Sequence, residues 1–136
     1  MLCFQVSDPD MAAVVTAVLQ YFNVDPDTGL DVLAGKSWGG RQAALLAGDD
    51  DEGTAYVVKP KQVVLVSPAW SAKPSMLQRL SIPVLLLWCH DDWVQWVSNV
   101  EVFKENVAQL TVHLEGVGGH HIVPAFVPII VGFVLK

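Results

Sequence analysis

The segment Val32-Leu33-Ala34-Gly35-Lys36-Ser37-Trp38-Gly39-Gly40 leaves few folds open to this chain. Leu30 to Ala34 is short and apolar, as a buried strand is, and Gln42 to Ala47 is rich in helix-favouring Ala and Leu. The Gly-x-Ser-x-Gly pentapeptide between them must turn a strand into a helix within a few residues. Gly35 and Gly39 flank Ser37, where a side chain is expected to collide with the neighbouring strand and helix. Ser37 is then forced into a tight, strained turn with its hydroxyl projecting off the end of the sheet. The next backbone N–H, from Trp38, lies at a helix N-terminus and can point at a developing negative charge.

The rest of the sequence alternates in the same way. Asp8-Pro9-Asp10 has the chemistry of a helix start, with Asp8 as cap and Pro9 in the first turn. That helix runs to about Tyr21 or Phe22, with Met11, Val14, Val15, Val18 and Leu19 on its apolar face. Gln62 to Ser67, Pro83 to Trp88 and Thr111 to Leu114 read as further strands. Pro74 to Leu80 is a short helix or turn, and Val97 to Leu110 a helix with Val100, Phe103, Val107 and Leu110 inward. Gly116 to His121 is a glycine-rich loop, followed by a buried apolar helix from Pro124 to Leu135. Strands separated by helices predict a parallel sheet of about four strands with helices on both faces.

At 136 residues the chain has room for one domain, residues 1–136. Its net charge of −6 argues against nucleic acid, which calls for a basic face. No uninterrupted apolar stretch approaches the roughly 20 residues that span a bilayer. Cys3 and Cys89 make no disulfide framework, and Met1 to Asp10 lacks the pattern of a secretory signal, which together point to the cytoplasm. The consecutive carboxylates from Asp49 read as a solvated loop, since a calcium loop spaces its ligands.

In a parallel sheet every strand ends on the same edge, so the segments that follow the strands can meet there. Ser37 follows the first strand, Cys89-His90-Asp91-Asp92 the third, and Gly118-Gly119-His120-His121 the fourth. A nucleophilic serine needs a base within hydrogen-bond reach, and that base needs a carboxylate to fix its tautomer. The chain supplies Ser, Asp and His in that order. Trp38, Trp70, Trp88, Trp93 and Trp96 all fall in or just after strand ends. Core packing explains some of them, while Trp70 and Trp93 are candidates for an aromatic pocket beside Ser37.

On these residues the chain resembles the C-terminal half of an α/β hydrolase. Leu33 to Arg41 is similar to the elbow of small hydrolases, Pro83 to Asp92 to the seventh strand and its acid loop, and Gly116 to His121 to the histidine loop. The family's usual spacing selects Asp92 as the acid, with Asp91 the alternative. It selects His120 as the base, with His121 second. Only Ser71 to Ile82 separates the second and third strands, where other families insert a cap. The resemblance is thus to cap-less members: dienelactone-hydrolase-like enzymes, small acyl esterases, and a hydrolase-like branch that includes a subunit of a histone acetyltransferase complex. Cys89 departs from the Gly common at its position, and Trp93 and Trp96 stand where Pro is common.

The resemblance implies a partial fold whose early strands, with a second oxyanion donor, would precede Met1. It implies hydrolysis of an ester, thioester or related acyl bond by Ser37, His120 and Asp92, with Trp38 N–H as oxyanion donor and no cofactor. The alternative is a non-catalytic hydrolase-like module or an inactive fragment, with a protein partner or self-association along the exposed strand Leu30 to Ala34.

Two further chemistries are weighed and set aside. A phosphate loop ending in Gly35-Lys36-Ser37 needs Gly where Leu30 stands, and Gly29 misses by one. Cys89, His90, Asp91, His120 and His121 lie on facing loops but lack the spacing of a metal site.

Overall fold

The computed structural model describes residues 8–48, 58–71 and 73–136. The acidic loop from Asp49 and the terminus with Cys3 lie outside them. Among the described residues, four helices and four strands follow in the order α1 (Asp8–Tyr21), β1 (Val32–Lys36), α2 (Trp38–Leu46), β2 (Gln62–Val66), β3 (Val84–Cys89), α3 (Val100–Asn106), β4 (Leu110–Glu115) and α4 (Phe126–Val134). Short 3₁₀ helices at Pro74–Arg79 and Val97–Asn99 join β2 to β3 and lead into α3. The strands form one parallel sheet in the order β1-β2-β3-β4. Leu33 stands opposite Val63, Val63 opposite Val84, and Val84 opposite Leu110.

β3 is Val-Leu-Leu-Leu-Trp-Cys and is buried throughout, because a central parallel strand is covered on both faces. Its alternation divides the core in two. Val84, Leu86 and Trp88 join Val63, Leu65, Ala43, Ala44, Leu77, Val100 and Phe103 on one face. Leu85, Leu87 and Cys89 join Val64, Val66, Phe126 and Phe133 on the other. Sequential strand order explains the unequal cover. Right-handed crossovers that always step the same way put all their connecting helices on one side. So α2, the 3₁₀ turn at Pro74–Arg79 and α3 share the first face. The second is left to α4, which follows the last strand.

Several elements differ from the sequence expectation. β1 begins at Val32 and runs to Lys36, two residues later at each end than expected; Leu30 and Asp31 before it bond the chain at the start of β2, Lys61 N–H to Leu30 O at 3.1 Å and Gln62 N–H to Asp31 O at 3.1 Å. The helix expected over Val97 to Leu110 stops at Asn106. Val107 is extended, and Leu110 opens β4. Val107 still packs in the core, so the apolar spacing was correct for burial and wrong for helix length. α4 is half-buried. Phe126 and Phe133 are buried, while Val127 and Val131 are 55% and 48% exposed. Likewise, Val14 and Val18 of α1 face solvent, and Leu19 alone of the expected face is buried. Pro128 is tolerated as the third residue of α4, where its missing N–H has no helical acceptor.

Candidate active site

Ser37 stands between β1 and α2 with φ 53° and ψ −123°. Such a conformation costs a non-glycine residue on the order of 1–3 kcal/mol and persists only where its surroundings impose it. Here Ser37 N–H donates to Val66 O at 2.9 Å, and Ser37 O accepts from Ala69 N–H at 2.9 Å and Arg41 N–H at 3.1 Å. The end of β2 thus fixes the turn from both sides. Gly35 is required: a Cβ there would run into the backbone oxygen of Gly39 and meet Gly40 N at 2.7 Å. The expectation for Gly39 itself is corrected. A Cβ at Gly39 would meet nothing within 4 Å, because its backbone is the obstacle for Gly35 and its own Cβ direction is open. Gly40 is the second tight position, 3.0 Å from Pro68 Cβ. Trp38 opens α2, and its N–H is one of the first four that no helical turn accepts.

The segment after β3 carries two carboxylates with different hydrogen-bond partners. Asp92 is 3% exposed. Its Oδ1 accepts from Gln95 N–H at 2.8 Å and Val94 N–H at 2.9 Å. Its Oδ2 lies 2.9 Å from His120 Nδ1. Trp88 reaches up from the core and donates its indole N–H to Gln95 O at 2.8 Å, locking the same turn from below. Burial pushes the Asp92 carboxyl up. Donation from Gln95, His120 and Val94 outweighs it, and the carboxyl is held below the ordinary range. The buried Ser67 hydroxyl lies near enough to add to this lowering, although it has no partner at full hydrogen-bond geometry. An ionised Asp92 accepts only, so the His120 nitrogen that faces it, Nδ1, is the donor of this hydrogen bond.

Asp91 is exposed and turns away from the imidazole. It accepts from Gly119 N–H at 2.7 Å and Gly118 N–H at 2.9 Å, and these bonds hold it below the ordinary carboxylate range. His121 is exposed and is not the ring paired with Asp92. Trp93 is 74% exposed, and its indole nitrogen lies 3.6 Å from where a Cβ of Gly119 would be. It therefore sits beside the histidine loop. Trp70 packs edge-on against Phe103 at 5.6 Å, as part of the core.

Burial, with Asp91, Asp92 and Glu115 nearby, pushes the Cys89 thiol up, so it stays neutral. Among the described residues, no three His, Cys, Asp or Glu side chains converge closely enough to hold a metal ion. No described helix is long and apolar enough to cross a membrane. Sequence reasoning missed Ser67, a second strand-end serine at positive φ, 41°. Its place at the end of β2, on the same sheet edge as Ser37, is the signal that could have found it.

No family model and no curated protein matches the sequence. Solved structures do match. A CIB-like hydrolase from Thermoplasma acidophilum is 17% identical with a TM-score of 0.69, over 97% of this chain and 58% of that one. An esterase from a Rhodococcus species is 18% identical with a TM-score of 0.72, over 96% and 73%. Acyl-protein thioesterase 2 from Zea mays is 18% identical with a TM-score of 0.71, over 99% and 68%. The likeness is one of fold: the chain has part of the α/β-hydrolase fold, and spans between 58% and 73% of these three chains.

Proposed function

We propose that the chain, as one domain over residues 1–136, is a serine hydrolase acting on an ester, thioester or related acyl bond. The observation that carries this reading is the pair of buried Asp92 and half-buried His120 at 2.9 Å, on the sheet edge where Ser37 also stands. His120 Nε2 takes the Ser37 proton as Oγ attacks the acyl carbon. The oxyanion turns toward Trp38 N–H. Collapse expels the alcohol or thiol, which leaves with the proton from His120. Water then enters by the same route and releases the acid. Asp92 holds the ring and stabilises the imidazolium throughout. Trp93, beside the histidine loop, lines the approach to the site. This chemistry calls for no cofactor. We place the chain in the cytoplasm, where a free, buried Cys89 thiol stays reduced.

A second reading is a non-catalytic interaction module that binds a partner or its own copy through the edge of β1. The exposed Trp93 and Trp96 and the edge position of β1 favour it. Treatment with a fluorophosphonate probe and mapping of the adduct by mass spectrometry separates the two. The enzyme reading expects an adduct on Ser37 that is lost in Ser37→Ala, with circular dichroism unchanged. A folded chain that takes no adduct removes the enzyme reading.

A further inference from the structure

His120 is carried by a loop with little of its own to hold it. The two residues before it are glycines at φ 158° and 57°, and glycine backbone has the most freedom to lose. The loop lies directly on the end of β3, since a Cβ on Gly118 would come within 2.7 Å of Cys89 Sγ. Asp91 sits at that junction. One oxygen accepts Gly119 N–H at 2.7 Å and Gly118 N–H at 2.9 Å, and the other lies 3.2 Å from Gly118 N. Bonds to an ionised acceptor are about twice as strong as neutral ones.

We infer that Asp91 is a positioning residue: it clamps Gly118 and Gly119 to the acid loop and so fixes where the His120 ring stands. The adjacent carboxylates then form one device. Asp92 sets the tautomer and tilt of the ring, and Asp91 sets the backbone on which the ring is mounted. This rests on reading His120 as the base. It adds a residue that does not touch the reacting atoms. Small displacements of a catalytic group cost up to about a hundredfold in rate.

The test uses the low-field Nδ1–H proton resonance of His120 bonded to Asp92, assigned by its loss in His120→Gln, with Ser37 labelling by fluorophosphonate as second readout. In Asp91→Ala the resonance should broaden or vanish and labelling should slow roughly ten- to hundredfold, with circular dichroism retained. Asp91→Asn keeps an acceptor oxygen and should restore most of both. An unchanged resonance in Asp91→Ala overturns the clamp, as does Asp91→Asn falling as far as Asp91→Ala. Amide exchange on the unsubstituted protein covers the case in which Asp91→Ala does not fold. Gly118 and Gly119 should be protected, and free exchange at both would overturn the inference. The resonance needs no substrate. A chain whose resonance responds as expected but whose Ser37 never labels supports the clamp and refutes the nucleophile.

Discussion

Asp91 and Asp92 differ by one position and share a charge, yet their environments assign them different work. Asp92→Asn keeps the shape of the acid but no longer holds His120 in the tautomer that leaves Nε2 free. Turnover should fall on the order of ten-thousandfold, against a small loss for Asp91→Asn, in steady-state kinetics on a model ester. The reverse order would move the acid by one residue. Asp92 also ties stability to pH. Its folded pKa lies below the ordinary 3.8, so its contribution is present above that value and is lost as pH falls through the folded value. Urea midpoints at about pH 6 and about pH 3 should therefore show wild type well above Asp92→Asn at the higher pH, with the gap narrowing at the lower. A gap that widens in acid would contradict the ionised, hydrogen-bonded state. The sequence brought the paired carboxylate to within one residue and the imidazole it faces to within one. It could not go further, because adjacent loop residues point in different directions according to the turn they sit in. The Gln95 and Val94 amides that draw Asp92 inward are visible only once the turn is built.

At the scale of elements, the strand–turn–helix around Ser37 depends on backbone proximity. Gly35→Ala must displace the backbone of Gly39 and Gly40, not a flexible side chain. The expected cost is about 3 kcal/mol, at the upper end of overpacking penalties, read as a lower urea midpoint with an unchanged slope. Gly39→Ala meets open space inside α2 and should be neutral or stabilising by up to about 1 kcal/mol, because Ala is the better helix former. Equal losses at the two positions would show that the tight approach is misplaced. The pentapeptide was legible as strand, turn and helix because apolar run, glycines and Ala-rich segment agree locally. Which glycine is indispensable was not, since it depends on where each Cβ points. The boundary of α3 was hidden for a related reason. Val107 and Leu110 continue a helical spacing, but both are spent on the core and on β4.

At the scale of the whole molecule, sequential strand order leaves one sheet face thinly covered by the described residues. Among the described residues, α4 is the one helix on the face of Val64, Val66, Leu85 and Leu87, and Ala34 on the same side of β1 is exposed. Val127 and Val131 of α4 and Leu135 beyond it face solvent, and β1 pairs only with β2 among the described strands. Open edges and contiguous apolar surface invite association. The purified chain should bind a hydrophobic dye and sediment heavier than a monomer, with association weakened by Ala34→Lys on the exposed face. A dye-negative monomer would contradict this account.

The amino-acid sequence by itself determined the class of fold and the order in which the serine, the carboxylates and the histidines follow its strands. Alternating apolar runs and helix signals require a parallel sheet, and a parallel sheet sends Ser37, Asp92 and His120 to one edge. These are properties of periodicity and chain order, which are written locally. Only the tertiary structure decided which carboxylate faces the imidazole, that the other holds the glycine loop, which glycine carries the turn at Ser37, and which apolar faces stay uncovered. Those outcomes depend on side-chain direction and on contacts between segments far apart in the chain, such as Asp91 with Gly118 and Asp92 with His120. Such contacts have no local signature, because each exists only when the sheet beneath it has set the two loops side by side.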